Sequence, residues 1–255
     1  MNKRLSFYDD LSSFMEVDSQ FLSFQNKELS SIIETARAFE RIIYQCIYVV
    51  DNINNNFLYV SDNFIRLCGI KAEQVKKIGN DFWNDSISEE DHILFTEARN
   101  ERLKFLNNLP IEERTDYSLS LDFHIKYGDK NRLINHTSTP INLTNDGDLG
   151  LELCIISLSG RDKSGDIVMK KINDLFFYQY SMKNHCWNRF PEISLSDGER
   201  EVLILSSQGL PMKVIAELLD KSLDTIKTYK RHLFYKMRVN SIAAALTYAQ
   251  NHILI

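Results

Sequence analysis

The sequence predicts an α+β domain followed by an all-α domain of four helices. Two observations carry this reading. In "YSLSLDFHIKY" the odd positions Tyr117, Leu119, Leu121, Phe123, Ile125 and Tyr127 are apolar and the even ones polar, the alternation of a strand with one buried and one wet face. From Leu195 onward, capping residues and helix stops instead mark four short helices in close succession.

Length and composition agree with two domains. The chain has 255 residues, 44% hydrophobic and 25% charged, values of a globular protein with a core of ordinary size. The N-terminus "MNKRLSFYDDLSSF" has no apolar signal core, and no run approaches the roughly 18–20 apolar residues that span a bilayer. A cytoplasmic location without membrane attachment is expected. Cys46, Cys68, Cys154 and Cys186 are too widely spaced for a zinc ribbon or a disulfide framework, and buried reduced thiols are expected.

The first elements follow from local patterns. Leu29, Ile32, Ile33, Ala36, Phe39, Ile42 and Ile43 recur at spacings of three and four, which favours an amphipathic helix over Phe21–Ile43. Cys46–Val50 and Phe57–Val60 flank an Asn-rich turn and read as a hairpin. Ser61 or Asp62 is expected to cap a short helix that Gly69 ends. Ser88, followed by Glu89, Glu90 and Asp91, starts a longer helix to about Leu106. The alternating strand then continues through "GDKN" into Arg132–Leu143 and through "NDGD" into Leu149–Leu158, a three-stranded antiparallel meander. Helices on one side of an antiparallel sheet result.

Residues 38–160 so arranged resemble a PAS domain. The resemblance is carried by "SDNFIRLCGIKAEQVKKIG", with Asn63, Phe64, Leu67, Gly69, Glu73 and Gly79 at the family's positions. It implies a PAS-like domain that senses a signal or mediates dimerisation; no cofactor is evident, and such a domain has room for an unidentified small ligand. Residues 1–37 are read as a helical extension, and 161–193 as a linker containing an aromatic hairpin about "MKN".

In the last 62 residues Ser196 and Glu199 form a capping-box pair, Gly209 stops the first helix, Pro211 opens the second, and Ser222 and Ser241 cap the third and fourth. Two helices joined by a short turn, the second basic, make a helix-turn-helix. The charge is concentrated: Lys221, Lys227, Lys230, Arg231, Lys236 and Arg238 face one acid, Asp224, in a chain whose net charge is −5. On the third helix Ile226, Leu233 and Met237 form an apolar stripe, and Asp224, Lys227, Thr228, Arg231 and Tyr235 lie on another face.

Residues 194–255 are similar to the DNA-binding domain of LuxR/NarL-type transcription regulators, through "LSDGEREVLILSSQGLPMKVIAELLDKSLDTIKTYKRHLFYKM". The resemblance implies a homodimer on double-stranded DNA. It places Lys227, Thr228 and Arg231 at base edges, and Lys213, Ser222, Thr225, Lys230 and Lys236 near phosphates. Ala244, Ala245 and Tyr248 fall where DNA-bound dimers meet. Lys230, Arg238 and Tyr229 depart from the family's common residues.

Nothing in the sequence assembles a catalytic constellation, and no enzyme is expected. His92, His124, His136 and His185 lack paired metal-ligand spacing, and no phosphate-binding glycine loop is present. The expected function is a sequence-specific DNA-binding transcription regulator. Its first domain is either a sensor or a purely structural interaction module.

Overall fold

The computed structural model describes residues 27–79, 81–252 and 254–255. The chain divides between Tyr44 and Gln45. In the first unit residues 27–40 are helical (α1), while positions 21–26 of the expected helix lie outside the described residues.

Residues 45–255 form the second unit. It opens with the hairpin β1 (Cys46–Asp51) and β2 (Asn56–Val60), followed by α2 (Phe64–Cys68), α3 (Ala72–Ile78), α4 (Asp81–Ser86) and α5 (His92–Asn107). Gly69 ends α2 at φ 75°, and a Cβ there would stand 3.1 Å from the Tyr127 ring, so both backbone and space call for glycine. Neither Ser61 nor Asp62 caps α2 with its side chain; Asn63 holds that position, and the Ser61 hydroxyl instead accepts from the Ile47 amide at 2.9 Å. Ser88 likewise makes no cap bond, and a 3-10 turn at Glu89–Asp91 leads into α5.

The sheet continues through β3 (Tyr117–Tyr127), β4 (Lys130–Pro140), β5 (Leu151–Leu158), β6 (Gly165–Lys171), β7 (Phe176–Ser181) and β8 (Cys186–Pro191). All eight strands join in the order β2-β1-β5-β4-β3-β6-β7-β8, with antiparallel pairing throughout. The first five, with α2 to α5 packed on one face, make the α+β domain that the sequence predicts. Its core holds Phe64, Phe82, Phe123, Ile134 and Ile156, each at most 1% exposed.

Within residues 161–193 the aromatic hairpin expected about "MKN" forms, as β7 and β8, and it belongs to the sheet rather than standing in a linker. Strand β6 pairs with β3, and the β7–β8 hairpin extends the same sheet. Aromatic packing accounts for it: Phe105 at the end of α5 meets Tyr178 and Trp187 at centroid distances of 5.0 and 5.3 Å. The Cys186 thiol at the start of β8 is exposed, unlike the three buried thiols.

The even face of β3 is not wet along its whole length. Ser120 and Asp122 are 8% and 2% exposed. Asn135 donates to both at 2.9 and 3.0 Å, and the segment after β5 closes over them. A period of two identifies a strand but does not show that its polar side faces water.

The C-terminal helices are α6 (Asp197–Ser207), α7 (Met212–Leu218), α8 (Leu223–Met237) and α9 (Ile242–Asn251). Their core contains Val202, Leu203, Ile226, Leu233, Met237 and Ala245, all at 0% exposure. This domain docks on the sheet through residues 157–166. The Ser157 hydroxyl donates to Asn251 Oδ1 at 2.9 Å, Asn240 donates to Asp162 Oδ2 at 2.7 Å, and Gly160 lies against the α9 backbone. Arg161 pairs with Asp166, donates to the carbonyls of Met237 and Arg238 at the end of α8, and places its guanidinium 4.4 Å from the Tyr248 ring centre.

Candidate nucleic-acid interface

The helix-turn-helix is built from caps outward. Ser196 Oγ accepts from Glu199 N at 3.3 Å, and Glu199 Oε2 accepts from Ser196 N at 2.8 Å, completing the reciprocal pair that the sequence spacing predicts. Between α7 and α8, Asp220 takes the left-handed conformation at φ 50°, and Lys221 N returns to the Ala216 carbonyl at 2.9 Å. Ser222 Oγ then accepts from Thr225 N at 3.1 Å and starts α8.

On α8 the two faces separate as their spacing requires. Ile226, Leu233 and Met237 are fully buried, whereas Asp224, Lys227, Arg231 and Tyr235 are exposed and Thr228 is half-buried. Lys227 Nζ meets Asp224 Oδ1 at 2.9 Å, but this pair is open to solvent and contributes little. Lys213 and Ser222 line one shallow recess at the turn, so both lie beside the N-terminus of α8. There the positive end of the helix dipole adds to their attraction for an anion.

Several expected site residues are placed otherwise. Lys236, expected near a phosphate, turns inward: its Nζ is 2.6 Å from Glu199 Oε2 and 2.8 Å from the Ser194 carbonyl. The reason is charge. Glu199 is 2% exposed; burial opposes its ionisation, while the bonds from Lys236 and Ser196 outweigh that and hold its carboxyl below the ordinary glutamate range. Ala245 lies in the helical core and Tyr248 under Arg161, while Ala244 is half-buried. Of the three residues expected between two copies, Ala245 and Tyr248 are thus buried within the chain. Lys230 is half-buried between the two faces of α8. Tyr229 packs its ring on Gly198.

Arg238 ends α8 in the left-handed conformation at φ 53°, a strained position for a residue with a Cβ. Its side chain donates to Gln179 Oε1 at 3.1 Å, which ties the end of the helix to β7.

A second constellation lies in the sheet domain and was not anticipated. Tyr48, Arg102, His136 and Glu152 meet in a buried cluster between β1, β4, β5 and α5. A signal was nonetheless present: Arg102 occupies the apolar spacing of Leu94, Ala98 and Leu106 on α5, where a charge has no place without a partner.

Residues 193–249 match the family described as bacterial regulatory proteins, luxR family. Over 60 residues the chain is 40% identical to the nitrate/nitrite response regulator protein NarL of Escherichia coli (strain K12), a match covering 23% of this chain and 28% of that protein. Among solved structures, the Vibrio cholerae VqmA dimer in the absence of target DNA aligns at 19% identity over 86% of this chain and 87% of its own, with TM-score 0.34. The N-terminal domain of a diguanylate cyclase with PAS/PAC sensor from Marinobacter aquaeolei aligns at 10% identity over 45% of this chain and 94% of its own, with TM-score 0.37. No helix among the described residues is long and apolar enough to cross a membrane. The caps, the tight turn and the match to the luxR family of bacterial regulatory proteins thus coincide in the segment 193–249.

Proposed function

We propose that the chain is a sequence-specific DNA-binding transcription regulator, with α8 as the recognition helix and the sheet domain as its signal-receiving part. The observation that carries the DNA reading is the face formed by exposed Lys227 and Arg231 with half-buried Thr228, which follows a capped turn and stands opposite a fully buried stripe. A major groove about 12 Å wide admits such a helix. Arg231 has the two-donor geometry that reads a guanine edge, Lys227 and Thr228 reach neighbouring bases, and Lys213, Ser222 and Thr225 flank the phosphates.

Two recognition helices on half-sites one helical turn apart require two copies of the chain. Pairing through α9 competes with the intrachain docking, because Tyr248 lies under Arg161. A signal in the sheet domain therefore acts by shifting the balance between docked and paired arrangements.

The test is duplex binding across a salt series. Affinity for a preferred duplex should fall steeply with salt, with slope about −0.9 per phosphate neutralised. Arg231→Ala should cost about 1–3 kcal/mol and relax preference at one base pair. Lys213→Ala should weaken all duplexes alike and flatten the slope. Salt-independent binding, or unchanged preference in Arg231→Ala, would refute the assignment.

A further inference from the structure

The sheet domain encloses a cavity of about 50 Å³ beneath α5. Its apolar wall includes Trp83 and Phe95, with ring centroids 5.7 Å apart. Its polar side chains are incompletely used. Arg102, 6% exposed, donates from Nη1 to Ser138 Oγ at 3.0 Å and pairs with Glu152 Oε1 at 2.5 Å. Arg102 Nε and Nη2 have no hydrogen-bond partner among the described residues, and Glu152 Oε1 meets Nη1 as an ion pair without a hydrogen bond of its own. His136, also 6% exposed, meets the Tyr48 hydroxyl through Nε2 at 2.6 Å, while its Nδ1 has no partner there. A buried donor without a partner costs about 1–3 kcal/mol, and more when charged, so a guanidinium edge kept in this state points to something that completes it.

The geometry selects the ligand. The Nε and Nη2 hydrogens form one edge of the guanidinium, two parallel donors whose natural complement is a carboxylate. Glu152 does not occupy that edge: its Oε1 faces Nη1 and its Oε2 accepts from Asn52 at 2.8 Å. Charge points the same way. Within the inner cavity Arg99 and Arg102 stand with one acid, Glu152, whereas a second acid, Asp148, lines only the outer recess. Burial keeps His136 uncharged, its pKa pushed down to about 4, so it adds no second anion site.

Size divides the ligand into head and body. One water needs roughly 10–15 Å³ of such space, so the cavity admits a head group of a few atoms. Asn52, Arg99, Arg102 and Glu152 also line an outer recess of about 300 Å³ with Leu103, Asp148 and Leu149. That recess has room for an apolar remainder.

We propose that this cavity binds a small monocarboxylate, its two oxygens on the Nε and Nη2 edge of Arg102 and its apolar part extending toward the outer recess. The inference deepens the signal-receiving reading of the sheet domain and rests on it.

The experiment uses the full chain with benzoate and butyrate as probes and benzamide and butyramide as matched neutral controls. Binding is followed by saturation-transfer NMR and by melting temperature. The carboxylates should bind at least about tenfold more tightly than the amides, since an amide presents one acceptor where the fork needs two. Arg102→Lys keeps a cation for Glu152 but loses the two-donor edge, and should lose carboxylate binding by a similar factor. Glu152→Gln removes the neighbouring anion and should tighten it, which keeps the test decisive if Arg102→Lys folds poorly. Equal binding of amides, no binding of any probe, or unchanged affinity in Glu152→Gln would each overturn the proposal. Native mass spectrometry of the chain purified from cells separates the two levels. A retained non-carboxylate molecule defeats this ligand class and leaves the signal-receiving reading standing, whereas an empty chain that binds no probe defeats both.

Discussion

Asp122 carries a carboxyl group 2% exposed, on the sheet face that meets the C-terminal domain. Burial pushes its pKa up to about 7, against the opposing effect of a hydrogen bond from Asn135. An aspartate in the unfolded chain ionises near 4, so the folded chain holds a proton that the unfolded chain releases over the interval between. This group's contribution to stability therefore declines as pH rises from about 4 to about 7. Asp122→Asn should remove the decline. Its stability in urea should match the parent near pH 4 and exceed it by about 1 kcal/mol or more at pH 8, since a tenfold difference in proton affinity between folded and unfolded chain corresponds to about 1.4 kcal/mol. Identical pH profiles for the two proteins would show that Asp122 does not titrate in this way. The sequence alone placed Asp122 on a wet face, because alternation reports which side chains share a face and not what later covers it.

Among the elements, α9 and the segment that receives it approach backbone to backbone. A Cβ on Gly160 would stand 2.7 Å from the Ala244 carbonyl oxygen and 2.8 Å from the Tyr248 amide nitrogen, both backbone atoms that cannot swing aside. Gly160→Ala should therefore push α9 off the sheet at a cost of about 1–3 kcal/mol. Faster amide exchange in α9, with α6 and α7 unchanged, is the expected readout; unaltered exchange in α9 would mean that the contact is not rigid. Element by element, most of the fold was legible. Both ends of β3 fall at the expected residues, and Ser196, Ser222 and Ser241 all cap as their spacing requires. Strand β6 was not legible, because "GDIVMKK" offers only Ile167, Val168 and Met169 as buried residues between polar ends, and the edge of β3 that it pairs with is distant in sequence.

At the scale of the whole molecule, one side chain joins the two layers of the second unit. Arg161 satisfies Asp166, two carbonyls at the end of α8 and the face of Tyr248 together, with 12% of its side chain exposed. Removing one member of such a buried network leaves the others without partners, typically at about 3–5 kcal/mol. Arg161→Ala should uncouple the sheet from the helices, so that calorimetry of the full chain resolves two transitions where the parent has one. A single transition in the variant would place the coupling elsewhere, in contacts such as Asn240–Asp162. Position in the network also links the two candidate sites. His136 and Asn135 are neighbours on β4 and point to opposite faces, one to the cavity beneath α5 and the other to Asp122 on the docking side.

The sequence by itself determined the elements whose causes are local: the alternation of β3, the hairpin of β1 and β2, the capped helices, and the division of α8 into a buried stripe and a charged face. From these came the helix-turn-helix and Lys227, Thr228 and Arg231 at its surface. Only the tertiary structure decided what depends on partners far apart in the chain. It turned Lys236 inward to a buried Glu199, covered Tyr248 with Arg161, joined residues 165–191 to the sheet, and brought Arg102 to Glu152 and His136 to Tyr48. The physical reason is common to all four. Capping and periodicity act within a few residues, whereas burial of a charge and the closing of a sheet edge depend on which distant surface arrives to cover them.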